Sequence, residues 1–451
     1  MQIVEGGLDI PLPRMVRVRQ RFPAVAEPDV AAAVARELRR PEVAGRVRPG
    51  QRIALGVGSR GIARLAEIVG AVVRELKALG ADPFIIPAMG SHGGATPAGQ
   101  REVLATYGVT EEAMGVPIVA DMDTVQVGET PGGVPVWFSR PALEADAILP
   151  IGRVKPHTDF HGTVESGLCK MLVIGFGKHR GATRIHQEGF ARFHELIPAA
   201  ARVVLDRVPV LGGLAIVENA HEEPARIEFV PAGRILAREP ELLEEARRLM
   251  ARLLFDSIDV LVVDELGKDI SGAGMDPNVT GRYVAAHMRG GTPAVQKIVV
   301  LRLTERTHGN ATGIGVADVT TRWVVENIDY QKTWTNVITS TELAGGRTPI
   351  WMPSDREAIA LAVKTLNGVD IRSPRIVRIH NTLELKEIWL SEPMWLQERH
   401  RSDLEALGDP QPLPFTPDGQ LRDLPLPRER HGLWPWTDDA RREPPWSRGA
   451  S

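Results

Sequence analysis

The sequence has one cysteine, Cys169, among its 451 residues. A single thiol cannot form a disulfide within the chain, and it cannot supply the paired thiols of a cysteine-rich zinc site. The sequence also lacks an apolar run of membrane-spanning length, and its first residues lack the apolar core and cleavage site of a secretory signal. We therefore expect a cytoplasmic protein without a membrane partner.

The chain has little net charge of either sign. Its formal charge is −3 and its pI is about 6.5, so no basic face for nucleic acid is expected. Hydrophobic residues make up 43% of the sequence, which is enough for a large core, and the length predicts more than one domain.

In the first half, predicted strands alternate with predicted helices. Residues 52–57 and 83–87 are short apolar runs typical of buried strands, and residues 62–79 have helical spacing. This alternation predicts an α/β fold with an open, mostly parallel sheet and flanking helices. Ligands of such sheets bind beyond the carboxyl ends of the strands, where the loops that carry Arg60 and His92 are expected.

The second half repeats the α/β pattern on a smaller predicted scale. We expect an N-terminal cofactor-binding catalytic domain over residues 1–290 and a smaller α/β domain over residues 291–407, with the active site in the cleft between them. Residues 408–451 are rich in proline, charge and tryptophan. This composition predicts an irregular arm that packs on the two domains or on a partner subunit. A homodimer is therefore one expected assembly.

Residues 153–190 combine imidazoles, amines and glycines around the apolar run 171–174. Ionisable groups beside a core element are costly unless they are paired or functional, so this segment is the first candidate for a site. Its histidines are His157, His161, His179 and His186, and its lysines are Lys155, Lys170 and Lys178.

The residue types leave several roles open. Lys170 precedes the apolar run, so it is either a partly desolvated nucleophile or a lysine whose amine extends from a strand end to water. His92 lies between Ser91 and Gly93 and is either a general base or a polar residue at a helix entry. His157 follows a buried strand and Pro156, which favours function, whereas a structural or surface role is expected for His179 and for the nearby His194.

The spacing of potential metal ligands in the sequence gives little support for a metal site made of protein ligands alone. The histidines lack the spacing of an HExxH helix, and there are no paired thiols, so a four-ligand zinc cage is not predicted. A metal site with one strong histidine ligand would need its other ligands from a cofactor.

Five elements taken in order resemble the nickel-dependent lactate racemase family and its homologues that act on 2-hydroxy acids. The most specific element is KMLVIGFGKHRGATRIH, in which a lysine is followed sixteen residues later by a histidine. The resemblance covers roughly the first 290 residues. The elements are Arg60, His92, KPH at 155–157, Lys170 and His186.

This resemblance implies a nickel-pincer nucleotide, pyridinium-3,5-bisthiocarboxylic acid mononucleotide, attached covalently at Lys170. His186 would be the protein ligand of nickel, and Arg60 would bind phosphate or carboxylate. His92 and His157 would act as alternating acid and base while hydride moves reversibly between C2 of a 2-hydroxy acid and the cofactor. Proteins that make the cofactor are implied partners.

The sequence departs from the family near the expected substrate. Gly58, Ser59 and Gly61 surround Arg60, and Gly93 follows His92, where the family carries larger or more polar side chains. We therefore expect a 2-hydroxy acid that is larger or more polar than lactate. His161 competes with His157 as the second base, and Lys268 and Lys332 are the candidates for binding the substrate carboxylate.

Two other functions are compatible with these residues. One is a metal-independent lyase in which the amine of Lys170 forms a Schiff base. The other is a non-catalytic nickel- or nucleotide-binding protein, which would keep Lys170 and His186 but would not need His92 or His157.

Overall fold

The computed structural model describes residues 7–58, 61–285, 287–288 and 290–424. The chain divides into two compact units. The first unit is Pro23–Met250, and the second unit combines Met1–Phe22 with Ala251–Ser451. No helix in the described ranges is both long and apolar enough to cross a membrane.

The described part of the chain forms fifteen strands. They are β1 (Met15–Gln20), β2 (Arg52–Val57), β3 (Asp82–Pro87), β4 (Thr124–Glu129), β5 (Pro135–Ser139), β6 (Ala147–Arg153), β7 (Gly212–Glu218), β8 (Pro224–Pro231), β9 (Ser257–Leu266), β10 (Ala294–Leu303), β11 (Val319–Thr321), β12 (Ile350–Met352), β13 (Ile376–Ile379), β14 (Glu387–Ser391) and β15 (Leu404–Ala406).

Fifteen α-helical segments lie in the same described ranges, and one π-helical segment, Met171–Gly175, joins α7 to α8. The helices are α1 (Val30–Leu38), α2 (Pro41–Ala44), α3 (Leu65–Ala78), α4 (Pro97–Thr106), α5 (Glu111–Met114), α6 (Arg140–Leu143), α7 (Leu168–Lys170), α8 (Lys178–His186), α9 (Phe193–Arg207), α10 (Ile235–Leu249), α11 (Pro277–Thr280), α12 (Arg322–Asn327), α13 (Tyr330–Thr339), α14 (Asp355–Lys364) and α15 (Glu392–Glu398).

Capping residues explain where two helices of the first unit begin. Asp29 accepts a hydrogen bond from the backbone N–H of Ala32 at 2.8 Å, which satisfies a donor in the first turn of α1. Thr96 accepts from the N–H of Gly99 at 3.1 Å, and Pro97 occupies the first position of α4, where proline is tolerated.

The first unit is built on a five-stranded sheet with the order β3-β2-β6-β7-β8. The first four strands are parallel and β8 is antiparallel to β7, which confirms the α/β class and the mostly parallel sheet. Helices α1 and α3 cover one face of the sheet, and α9 and α10 cover the other. Because β3, β2 and β6 are parallel, the loops that follow them leave the same edge of the sheet.

The second unit contains an eight-stranded sheet with the order β12-β11-β10-β9-β13-β14-β1-β15. Strands β12 to β13 in this order are parallel, and β14, β1 and β15 are antiparallel to their neighbours.

The structure divides the chain elsewhere than at the predicted boundary of residue 290. That boundary falls between β9 and β10, which pair along most of their length, with Val262 opposite Val299. Strand β1, predicted to belong to the N-terminal domain, pairs instead with β14 and β15. The second unit contains the larger of the two main sheets.

A buried ion pair holds the end of the described chain against the rest of the second unit. Arg302 on β10 donates two hydrogen bonds to Asp355 on α14, at 2.7 and 2.9 Å, and both side chains are almost fully buried. Asp355 also accepts from the N–H of Leu421 at 2.8 Å. The described part of the predicted arm, residues 408–424, therefore packs on this unit, where Leu421 and Leu424 are buried.

Removal of one partner of this ion pair should destabilise the second unit. Asp355→Ala leaves the Arg302 guanidinium buried without its carboxylate, so we expect the free energy of unfolding of this unit to fall by about 3–5 kcal/mol. Urea denaturation of the variant measures the change. Asp370→Ala removes an exposed partner of Arg372 and should leave the transition unchanged. An unchanged transition in Asp355→Ala would contradict this account.

Candidate functional site

A cavity of about 240 Å³ opens at the edge of the first-unit sheet where β2, β3 and β6 end. All of its lining residues belong to this unit. The residues singled out in the sequence that line it include His92, Lys155, His157, Lys170 and His186. The prediction that the active site lies in a cleft between two domains stays a prediction.

The loop after β3 places His92 at the cavity. Gly90 and Gly93 have φ angles of +60° and +66°, a backbone conformation that favours glycine. A Cβ atom at Gly93 would lie 2.6 Å from the carbonyl carbon of Gly99, so the close approach to α4 also requires glycine. The N–H of Gly90 donates to the carbonyl of Gly175 at 3.2 Å, which joins this loop to the π-helical segment.

The loop after β6 fixes His157 through a buried carboxylate. Glu165 is fully buried and accepts from the backbone N–H groups of His157 at 2.6 Å and of Gly162 at 3.1 Å. Arg247 on α10 pairs with the same carboxylate. The ring of His157 also packs on Phe160, with 4.6 Å between the ring centroids.

The hydrogen bonds of the His157 ring indicate which ring nitrogen carries the proton when the ring is neutral. Its Nδ1 accepts from the N–H of Asp159 at 3.0 Å, so a neutral ring carries its proton on Nε2. Nε2 contacts the Nζ of Lys170 at 2.5 Å. The amine of Lys170 and the imidazole of His157 are therefore in direct hydrogen-bond contact inside the cavity.

Lys170 lies at the end of α7, not at the end of a strand. The backbone N–H of Cys169 donates to Glu239 at 2.8 Å, and Glu239 is buried behind Gly167 at the cavity wall. Burial raises the pKa of Glu239 to about 7. Burial beside Glu239 raises the pKa of the Cys169 thiol, so this thiol stays protonated near neutral pH and is a poor nucleophile.

The π-helical segment and the start of α8 bring His186 back to the lysine. In a straight α-helix, sixteen residues span roughly 24 Å, which is too far for one small cavity. Here the helix widens at Met171–Gly175, and Lys178, the first residue of α8, adopts a left-handed φ of +54°. The chain changes direction at this point, and both Lys170 and His186 line the cavity.

His186 has the tautomer of a metal ligand. Its Nδ1 lies 2.6 Å from the carbonyl oxygen of Ala182, to which it must donate, so Nε2 keeps its lone pair. The rings of Phe190 and Phe193 contact the imidazole at centroid distances of 5.5 and 5.1 Å and fix its orientation. His186 keeps an exposed surface, but packing around its ring removes water and lowers its pKa, which favours the neutral ring that coordinates metals.

The described residues contain no group of three or more histidine, cysteine, aspartate or glutamate side chains arranged to hold a metal. His161 is outside the cavity lining, and its Nδ1 lies 3.1 Å from Glu165. His179 and His194 are exposed. The structure thus favours His157 over His161 for a role inside the cavity.

None of the predicted anion-binding residues is among the described residues that line this cavity. Arg60 lies outside the described residues. Lys268 and Lys332 belong to the second unit, where their amines donate to the carbonyl groups of Gly272 at 2.7 Å and His308 at 3.1 Å. Their role in binding a substrate carboxylate stays a prediction.

Sequence reasoning missed four residues that support the cavity: Gln100, Glu165, Lys178 and Glu239. Glu165 and Lys178 lie inside the segment already singled out, so only their roles were unassigned. Gln100 and Glu239 are single polar residues on amphipathic helices, α4 and α10, and no local pattern distinguishes them from solvent-facing residues.

A family model and a solved structure are similar to parts of this chain. Residues 6–194 match the family model described as the lactate racemase N-terminal domain. The structure of the lactate racemase apoprotein from Thermoanaerobacterium thermosaccharolyticum has 12% sequence identity and a TM-score of 0.47, over 82% of this chain and 89% of that chain. No curated protein sequence matches the chain.

The matched range contains His92, His157, Lys170 and His186, four of the residues that converge in the cavity. Within this range, the family match agrees with the resemblance that the order and spacing of these residues indicate. Residues 6–194 of this chain are thus similar to the lactate racemase N-terminal domain.

Proposed function

We propose that the protein is an isomerase, a racemase or epimerase that inverts C2 of a 2-hydroxy acid by reversible hydride transfer to a nickel-pincer nucleotide tethered at Lys170. One observation carries this proposal. An amine, an imidazole with an available Nε2 and two further histidines line one cavity in a chain whose residues 6–194 are similar to the lactate racemase N-terminal domain.

The residues present fit such a cofactor. Lys170 offers an amine at the cavity wall, and His186 offers the Nε2 of its imidazole, whose Nδ1 is already used by the carbonyl of Ala182. A pincer nucleotide brings two sulfur donors and one carbon donor, so a single histidine completes the square-planar coordination that nickel prefers. When bound, the group would supply the hydride acceptor.

His92 and His157 would hold and move the proton of the C2 hydroxyl. The two histidines lie on different loops, after β3 and after β6. One imidazole can therefore accept the hydroxyl proton from one enantiomer, and the other imidazole can donate a proton to form the opposite enantiomer. Imidazole is suited to this role because its ordinary pKa lies close to neutral pH. In the unloaded chain His157 contacts Lys170, so attachment at Lys170 would release its Nε2 for the substrate.

The proposed substrate is larger or more polar than lactate. Gly58 lines the cavity, so a side chain at this position would reduce the volume open to a substrate. Arg60, Lys268 and Lys332 are proposed to bind its carboxylate or the cofactor phosphate, because guanidinium and ammonium groups match these anions. Cofactor-making proteins are the proposed partners, and the cytoplasm is the proposed location.

Replacement of His186 should separate metal binding from cofactor attachment. In His186→Ala, expressed in a host that makes the nucleotide, we expect nickel to be lost while a nucleotide adduct at Lys170 persists. Metal analysis and intact-protein mass spectrometry measure the two together. His179→Ala is the matched control, because His179 is exposed on the same helix. Full nickel content in His186→Ala would rule out this ligand assignment.

Replacement of either proposed base should reduce turnover without loss of the cofactor. We expect His92→Gln and His157→Gln to lower kcat for 2-hydroxy acid inversion by ~10²-fold or more at normal nickel content. His161→Gln, outside the cavity lining, should retain most of the activity. Chiral chromatography of product formed from a panel of 2-hydroxy acids gives the rates. Full activity in the His92 and His157 double variant would refute the two-base scheme.

A further inference from the structure

Lys178 is a fully buried lysine to which the proposed reaction assigns no role. Its Nζ donates to the carbonyl of Pro87 at 2.6 Å and to the Oε1 of Gln100 at 3.2 Å. Burial lowers its pKa to about 8. Since a buried amine is costly, its two acceptors must offset the loss of water.

Gln100 connects this lysine to the loop that carries His92. It is fully buried on α4, and its Nε2 donates to the carbonyl groups of Gly90 at 2.9 Å and of His92 at 3.3 Å. The amide oxygen therefore accepts from Lys178, and the amide nitrogen donates to the His92 loop. Three chain segments, α4, α8 and this loop, meet at one side chain.

We propose that Lys178 and Gln100 are positioning residues that hold the His92 loop in a fixed place relative to α8. Lys178 is the first residue of α8 and His186 is the last. One helix thus fixes the candidate metal ligand directly and the candidate base His92 through Gln100. This inference rests on the proposed function of the site, because it assigns a purpose to the placement of His92.

A purely structural role makes a different prediction. If the pair only filled the interior, two apolar side chains of similar size would serve as well, because replacing both partners of a buried polar contact is often neutral or stabilising. Under the positioning account, Lys178→Met combined with Gln100→Leu removes the donors to the carbonyl groups of Pro87, Gly90 and His92, so the loop should loosen beyond any loss of global stability.

Gln100→Glu tests the connection more finely. The carboxylate keeps an acceptor for Lys178, yet it has no N–H to donate to Gly90 and His92. In the unloaded full-length protein, hydrogen exchange at amides 89–92 should become about tenfold faster or more, while the unfolding midpoint stays within a few degrees of wild type. The His92 ring signals, assigned by difference from His92→Gln in ¹⁵N NMR, should shift.

Two controls of the same chemical kind accompany these variants. Lys77→Met removes an exposed lysine that donates to the carbonyl of Gly115, and Gln126→Glu changes an exposed amide. Neither should alter exchange at 89–92. In loaded enzyme, Gln100→Glu should lower kcat about tenfold or more with little change in KM or nickel content, because misplacement of a base affects the chemical step.

Unchanged exchange at 89–92 and unchanged His92 signals in both Gln100→Glu and the double variant would overturn this inference. Faster exchange supports it, whatever the turnover. A failure of the proposed function would be seen in a different measurement. Full turnover in His92→Gln would reject the role of His92 as a base, whether or not exchange in the 89–92 loop changes.

Discussion

The parallel pairing of β3, β2 and β6 is the constraint on which the site depends. In register, Leu55 of β2 lies opposite Ile85 of β3 and Leu149 of β6, and all three side chains are buried. Strands buried in this way cannot slip by one residue without exposing the core. The register therefore fixes where each strand ends, and with it the positions from which the His92 and His157 loops begin.

A second constraint acts within the helical segment that follows. Lys170 and His186 could not share a small cavity on one straight helix, and the π-helical turns together with the left-handed Lys178 remove that obstacle. The same break buries the Lys178 amine beneath the His92 loop. The irregular backbone thus joins three candidate functional groups that the sequence places far apart.

Helix α10 supports the cavity from behind. It supplies Glu239, which accepts from the backbone beside Lys170, and Arg247, which pairs with the carboxylate that holds His157. These contacts carry buried charge, so they are sensitive to single replacements. A helix with no residue in the cavity lining therefore contributes to the placement of both the amine and the imidazole.

Much of the first unit could be predicted from sequence, since its apolar runs and caps are local signals. The strands at 52–57 and 82–87 and the cap at Thr96 are of this kind. The location of the division between units could not, because β1 joins a sheet whose other strands begin more than two hundred residues later. The helix that contains Lys170 could not be predicted either, because a four-residue apolar run such as 171–174 is compatible with both a strand and a helix.

The central claim is that Lys170 carries a nickel-pincer nucleotide, and peptide mass spectrometry with metal analysis tests it most directly. The protein would be purified from a host shown to make the nucleotide. The account predicts a sulfur-containing nucleotide adduct on the peptide that contains Lys170, with about one nickel per chain. An unmodified Lys170 from that host would contradict the account, and trapping of a substrate on the same amine by borohydride would identify a Schiff-base enzyme instead.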